Sequence, residues 1–253
     1  MIIRDRNVME LQELEKCWDL NSVHGHVNTL YHFGLSCKVQ SMHVHSFGVD
    51  NIDACRELLA KMRPSKLAIE IDNPQAVFRL EESADLFSFD NLTELHVSLN
   101  FRANLVKVHR GAFNSFIDLI RPTSLTYLRV TLTTLGDWCH ICQHNLDPTF
   151  TCSETEEIFQ GRAQPFTAEP LKGVLRWVSL TDIKEFAKNI IDAVPTLQTV
   201  VVDTRPQLAY SIRGWRIRKD KHGLGVMGQM TKQQCKQLIE ERHARQCDQH
   251  RDY

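Results

Sequence analysis

Leu92-Thr-Glu-Leu95-His-Val97 and Leu125-Thr-Tyr-Leu128-Arg-Val130 follow one pattern, apolar-x-x-apolar-x-apolar. The same pattern runs outward in both directions. Upstream it is Val39-x-x-Met42-x-Val44, then the pair Leu67 and Ile69. Downstream it is Leu175-x-x-Val178-x-Leu180 and Leu197-x-x-Val200-x-Val202. With the middle apolar residue as anchor, Met42, Leu67, Leu95, Leu128, Val178 and Val200 are spaced by 25, 28, 33, 50 and 22 residues. All but the interval of 50 fit one helix plus one strand. A unit of that size cannot bury its apolar face alone and must stack on its neighbours.

Amphipathic stretches lie between the strands. Ile52, Cys55, Leu58, Leu59 and Met62 fall at helical spacing after Asp50, which is expected to be the N-cap. Phe113, Phe116, Ile117 and Ile120 form a second stripe. Ile183, Phe186, Ala187, Ile190, Ile191 and Val194 form a third, after Thr181 and Asp182. Pro64, Pro122 and Pro195 follow these stripes, and a residue before proline is pushed out of the helical region. Alternating helix and strand predicts parallel pairing through right-handed crossovers.

Strands buried on both faces read as continuous apolar runs. Here the alternate positions are mostly polar: His43 and His45, Lys66 and Glu70, Glu94, His96 and Ser98, Arg129 and Thr131. Only Val200-Val201-Val202 is continuous. One face of the sheet is therefore expected to be wet. The predicted fold is an α/β, irregular leucine-rich-repeat-like solenoid, with a curved parallel sheet and helices on one face. Residues 1–36 are expected to form a helical amino-terminal cap and 37–204 the solenoid, with a polar insertion at about 136–169. Residues 205–253 are expected to form a basic cap made of an edge strand plus a helix.

The strand pattern resembles irregular leucine-rich repeats of the longer, helix-bearing type. The proline-terminated helices, Ser211-Ile-Arg-Gly-Trp-Arg-Ile-Arg-Lys219 and Met230-Thr-Lys-Gln are similar to the carboxy-terminal part of fungal F-box/leucine-rich-repeat-like proteins. In that family an F-box docks on a ubiquitin-ligase adaptor while the repeats hold the substrate. No F-box is recognisable in residues 1–34. The resemblance thus implies the substrate-recognition part of an F-box-type ubiquitin ligase receptor, and no ligase activity. The asparagine that usually follows the strand in such repeats occurs at Asn100. Phe47, Asp72, Thr133, Ile183 and Arg205 hold the equivalent places.

The 253 residues are 42% apolar with a formal net charge of -1, so no whole-chain field draws the protein to nucleic acid or membrane. No apolar run approaches the ~18 residues of a spanning helix, and the first sixteen residues lack a signal-peptide apolar region. The eight cysteines read as reduced thiols, mostly core residues. The expected location is cytoplasmic or nuclear. Charge is uneven: from Arg205 to Tyr253 there are 11 Lys/Arg against 5 Asp/Glu, a local +6.

Few residues point to chemistry. Cys139-His-Ile-Cys142, with His144 and Cys152, has a C-x2-C spacing suited to zinc, but the ligand set is incomplete, which favours incidental thiols over a structural zinc. His43-x-His45 places two imidazoles on one side of a strand. Met42-His-Val-His-Ser46 with Leu67-Ala-Ile-Glu-Ile-Asp72 resembles the opening of a polymerase-and-histidinol-phosphatase-type metal phosphoesterase, whose later ligands have no counterparts here. Phosphate-loop, H-E-x-x-H and G-x-S-x-G signatures are missing. The basic run Arg213–Lys221, with Trp215, suits a charged edge strand better than a nucleic-acid patch. Thr231-x-x-Gln234 is a capping box opening a final helix.

The expected function is therefore a non-catalytic protein–protein interaction module, with no cofactor, no catalytic residue and no assigned metal ligand. Neither membrane nor nucleic acid is expected as a partner. The expected working surface is His43, His45, Glu70, Glu94, His96, Tyr127, Arg129, Trp177 and Asp203. Tyr127, Arg129 and Trp177 are its expected energetic anchors, because aromatic and arginine side chains dominate interface hot spots. The alternative is a metal-dependent hydrolase centred on His43 and His45.

Overall fold

The computed structural model describes residues 20–35, 37–72, 74–77, 85–102, 110–135, 183–205, 211–219 and 225–248. The strands are β1 (Ser22–His26), β2 (Ser41–Phe47), β3 (Lys66–Asp72), β4 (Glu94–Arg102), β5 (Tyr127–Leu135), β6 (Thr199–Arg205), β7 (Ser211–Lys219) and β8 (Gly225–Met230). The helices are α1 (Val27–Phe33), α2 (Ile52–Met62), α3 (Pro74–Val77), α4 (Arg110–Ile120), α5 (Ile183–Ala193) and α6 (Lys232–Asp248). The fold is mixed α/β around one open eight-stranded sheet whose strands lie side by side in chain order. Pairing is parallel from β1 to β6 and antiparallel from β6 to β8.

The repeat anchors set the register. Met42 pairs with Leu67, Leu67 with Leu95, Leu95 with Leu128, and Leu128 with Val200. The positions two residues on, Val44, Ile69, Val97, Val130 and Val202, align likewise. These side chains are buried with Leu58 and Leu59 of α2, Phe116 and Ile120 of α4, and Ile190 of α5, in one continuous core on one face. Each such Leu, Ile or Phe contributes about 1.5–3 kcal/mol by leaving water. Phe113 and Phe186 join α4 to α5 with ring centres 4.6 Å apart. α2 stops at Met62, with Arg63 in the left-handed region (φ 42°) just before Pro64. α4 and α5 end two residues ahead of Pro122 and Pro195.

A hydrogen-bonded rung recurs where each strand begins. The Gln40 carbonyl accepts from Ser65 N–H and Lys66 N–H, the Ser65 carbonyl from Thr93 and Glu94, and the Thr93 carbonyl from Thr126 and Tyr127. The hydroxyls of Ser65, Thr93 and Thr126 donate to the same three carbonyls. The small polar residue before each strand thus satisfies backbone groups that the parallel ladder leaves over.

Four expectations need correction. Residues 22–26 are a strand, where a helical cap over 1–36 was expected. The reason lies in Leu20-x-x-Val23-x-Gly25, which repeats the strand pattern with glycine in the last apolar place. Val23 pairs with Met42 and Gly25 with Val44, and Leu30 of α1 fills the space that a Cβ on Gly25 would occupy. Second, β5 and β6 are direct neighbours, where the repeat at Leu175–Leu180 was expected to add a unit between them. Those residues, like the insertion at 136–169, lie outside the described ones. Third, the edge strand of the basic cap is two strands, β7 and β8. Trp215 and Ile217 join the helix-side core while Arg216 and Arg218 are exposed. Fourth, helices are not confined to one face, because α6 lies on the other. Thr231 and Gln234 cap it reciprocally: Thr231 N–H donates to Gln234 Oε1 at 2.8 Å, and Gln234 N–H to Thr231 Oγ1 at 3.2 Å. Its stripe of Cys235, Leu238 and Ile239 then packs with Met230 onto Tyr127, Val201 and Ile212. Gly214 permits the close approach, since a Cβ there would stand 2.5 Å from Met230 Cε and 2.8 Å from Cys235 Sγ.

Candidate functional site

On the face opposite the main core, register builds two rows of side chains. One reads His24, His43, Ala68, His96, Arg129, Val201, Gly214 and Met230 across the eight strands. The other begins His26, His45 and continues through Ser98, Thr131, Asp203 and Ile212. α6 divides this face. It covers the β5–β7 end, and no other element among the described residues covers the β1–β3 end.

The covered end takes up several residues of the expected working surface. Tyr127 is 5% exposed, with the Arg242 guanidinium 3.9 Å from its ring centre. Burial pushes its phenol up to about 12, against the pull of Arg129 and Arg242. Asp203 has no exposed surface, and Arg129, at 12% side-chain exposure, donates to it from Nη2 at 2.9 Å. Glu94 is ion-paired with Arg242. His96 Nε2 and Thr131 Oγ1 are 3.0 Å apart. Tyr127 therefore supports the α6 contact, while Arg129 and Asp203 form a largely buried pair, which corrects the expected exposure of all three. Trp177 lies outside the described residues, as do Cys139, Cys142, His144 and Cys152.

The uncovered end gathers the histidines. The His43 and His45 rings are 4.1 Å apart, and His24 stands 6.2 Å from His43 and 5.6 Å from His45. His26 lies 5.9 Å from His45. The Glu70 carboxylate on β3 faces this cluster, with Oε2 3.2 Å from His45 Nδ1 and Oε1 3.8 Å from His43 Nε2. The His43 imidazole, with His45 beside it, holds the Glu70 carboxyl down at about 2, against a smaller opposing effect of burial. His43, His45 and Glu70 each offer a ligand atom, all within 4.8 Å of one another, so these three could hold a metal.

A β-bulge sets this geometry. Val44 pairs with Ile69 and Phe47 with Ile71, so His45 and Ser46 together stand opposite Glu70. The extra residue turns Phe47 back into the core, where simple alternation would point it at the histidines. Ser46 pays the conformational cost with φ 54°, a region unusual for a side chain other than glycine. Asn51 holds the bulge: its Nδ2 donates to the Ser46 carbonyl at 2.9 Å, and its Oδ1 accepts from Gly48 N–H at 3.0 Å. Asn51 rather than Asp50 is the cap residue of α2, and its side chain serves the bulge instead of the helix.

No family model, curated protein or solved structure matches the chain. The reading of this site therefore rests on its own residues. Sequence reasoning placed His43, His45 and Glu70 on one surface but missed His24 and His26. The available signal was the second His-x-His, at His24–His26, which falls in register with His43–His45.

Between the histidines and α6 lies a cleft of about 210 Å³. His43, Ala68 and His96 contribute to its lining beside Lys66, with Ile239 and Arg242 on the helix side. Glu94 is paired with Arg242, and the Glu70 carboxylate faces His43 and His45, so Lys66 adds a cation to the open part.

Proposed function

We propose that the protein is a non-catalytic protein-interaction module that takes an extended acidic segment of a partner into the cleft bounded by His43, Lys66, Ala68 and α6. One observation carries this reading: α6 covers the second face of the sheet at one end, and no other element among the described residues covers it at the other. The open end meets the helix in a groove lined on the sheet side by Lys66, His43 and His96. A groove beside an ordered sheet presents a fixed surface and demands little ordering on binding, which favours affinity. In finer detail the architecture reads as an irregular leucine-rich-repeat-like solenoid. The in-register anchors and the recurring carbonyl rung support that reading. A role as substrate receptor of an F-box-type ubiquitin ligase, in cytoplasm or nucleus, rests on the sequence resemblance alone. No helix among the described residues is long and apolar enough to cross a membrane.

The test compares proteins captured by the wild-type chain with those captured by Ala68→Trp, which fills the cleft, and by Lys66→Glu, which reverses its charge. Arg121→Ala, at an exposed i,i+3 pair with Asp118 on α4, is the control. A partner kept by the control and lost from both cleft variants supports the reading. A full set of partners retained by both variants, with circular dichroism unchanged, refutes it.

A further inference from the structure

We propose that His43, His45 and Glu70, joined by His24, form a binding site for one divalent transition-metal ion, Zn²⁺ by the chemistry of the ligands. The inference goes beyond the cleft reading and stands on different observations.

The first is proximity. A tetrahedral Zn²⁺ with bonds of about 2.0–2.1 Å holds its ligand atoms about 3.4 Å apart. The His45–Glu70 and His43–Glu70 separations are already 3.2 and 3.8 Å, and all three candidate atoms lie within 4.8 Å of one another. Closing on an ion needs side-chain rotations, not movement of strands. Two imidazoles on one such ion have ring centres about 5 Å apart, each centre lying about 3 Å from the metal. The His24 and His45 rings are 5.6 Å apart and inclined at 78°, close to that arrangement. His24 comes from the neighbouring parallel strand, one register step from His43.

The second is chemical type. A set of imidazoles with one carboxylate suits Zn²⁺ and its borderline neighbours, whereas Mg²⁺ and Ca²⁺ take oxygen ligands. An imidazole that binds a metal offers one nitrogen lone pair, and His24, His43 and His45 bring three such rings together across two strands. One cation satisfies several of them at once, with Glu70 supplying the negative charge.

The third is construction. The bulge at His45–Ser46, with Ser46 at φ 54° and Asn51 clamping its carbonyl, brings two residues opposite Glu70 and turns Phe47 away from the histidines into the core. Bulges that re-aim a side chain recur next to functional sites, and strained backbone persists only where its surroundings hold it. An exposed sheet end with no ligand to place would gain nothing from either.

The experiment uses the full chain, stripped with a chelator, dialysed and titrated with Zn²⁺ by calorimetry, with bound metal counted by elemental analysis. One equivalent is expected, undisplaced by millimolar Mg²⁺ or Ca²⁺. Loss of a mere outer-shell partner typically lowers metal affinity about 10–100-fold. His43→Ala/His45→Ala is therefore expected to lose the equivalent altogether, and His24→Ala and Glu70→Gln to weaken it at least tenfold, all with unchanged circular dichroism. Cys139→Ser/Cys142→Ser is expected to keep it. With Co²⁺ in place of Zn²⁺, visible bands of a tetrahedral nitrogen–oxygen site should arise without thiolate charge-transfer absorption. Lys66→Glu should bind Zn²⁺ as the wild type does, so loss of partner capture and loss of metal are separable results. The inference is overturned if the wild type binds no Zn²⁺, if the histidine double variant retains it, or if the cobalt spectrum shows thiolate ligation.

Discussion

Replacing Asp203 by Ala tests the covered half of the sheet directly. Asp203 has no exposed surface, and its partner Arg129 is only 12% exposed. Were the pair on an open face, as the sequence pattern predicts, losing it would cost about 0–1 kcal/mol. With the pair buried, Asp203→Ala leaves the largely buried Arg129 guanidinium without this carboxylate, and breaking such a buried pair costs about 3–5 kcal/mol. For a chain of this size, with a urea dependence of about 3 kcal/mol per molar, the unfolding midpoint should fall by about 1 M or more. Removing both charges is expected to restore most of the loss, because apolar replacement of a buried pair is often neutral or stabilising. Asp203→Leu/Arg129→Met is therefore the companion variant. Urea unfolding followed by circular dichroism and tryptophan fluorescence reads both. A change below about 1 kcal/mol for Asp203→Ala would refute the burial of this pair, as would a double variant no better than the single one.

Two further outcomes are expected. Gly214→Ala should cost about 1–3 kcal/mol by forcing α6 outward, and Met230→Ala in the same chain should relieve part of it; denaturant midpoints of the two variants check this. For Glu70 the folded carboxyl sits at about 2 against an ordinary 4.5. Its contribution is thus fully present above pH 4.5 and is lost as pH falls from there toward 2. Glu70→Gln should flatten the stability profile within that window alone, as measured by urea unfolding at stepped pH.

The strand order was legible because the leucine pattern reports the buried face directly. Met42, Leu67, Leu95, Leu128 and Val200 sit in one row, as their spacing implies. Even Asp72, Asn100, Thr133 and Arg205, read as equivalent places after the strands, fall in register, with Asn100 Nδ2 donating to Asp72 Oδ1 at 3.0 Å. β1 escaped notice because glycine replaces its last apolar residue and a leucine from α1 fills the gap. The burial of the polar face was harder to see. Tyr127, Arg129 and Asp203 are amphipathic or charged, and local sequence does not show their burial; for Tyr127 the cover includes Arg242, 115 residues later. The clue present was Val200-Val201-Val202, a continuous run of the kind that marks a strand covered on both sides. For the histidine site the residue types were visible in the sequence. Their convergence was not, because the bulge that keeps Phe47 off this face is built on Ser46 and Asn51, neither of which belongs to the repeat.

α6 lies over strands that all precede it in the chain. During synthesis those strands emerge first, and Tyr127, Val201 and Ile212 stay uncovered until residues beyond Lys232 leave the ribosome. The open sheet is thus a transient species in the protein's own history, one on which holding chaperones would have a window to act.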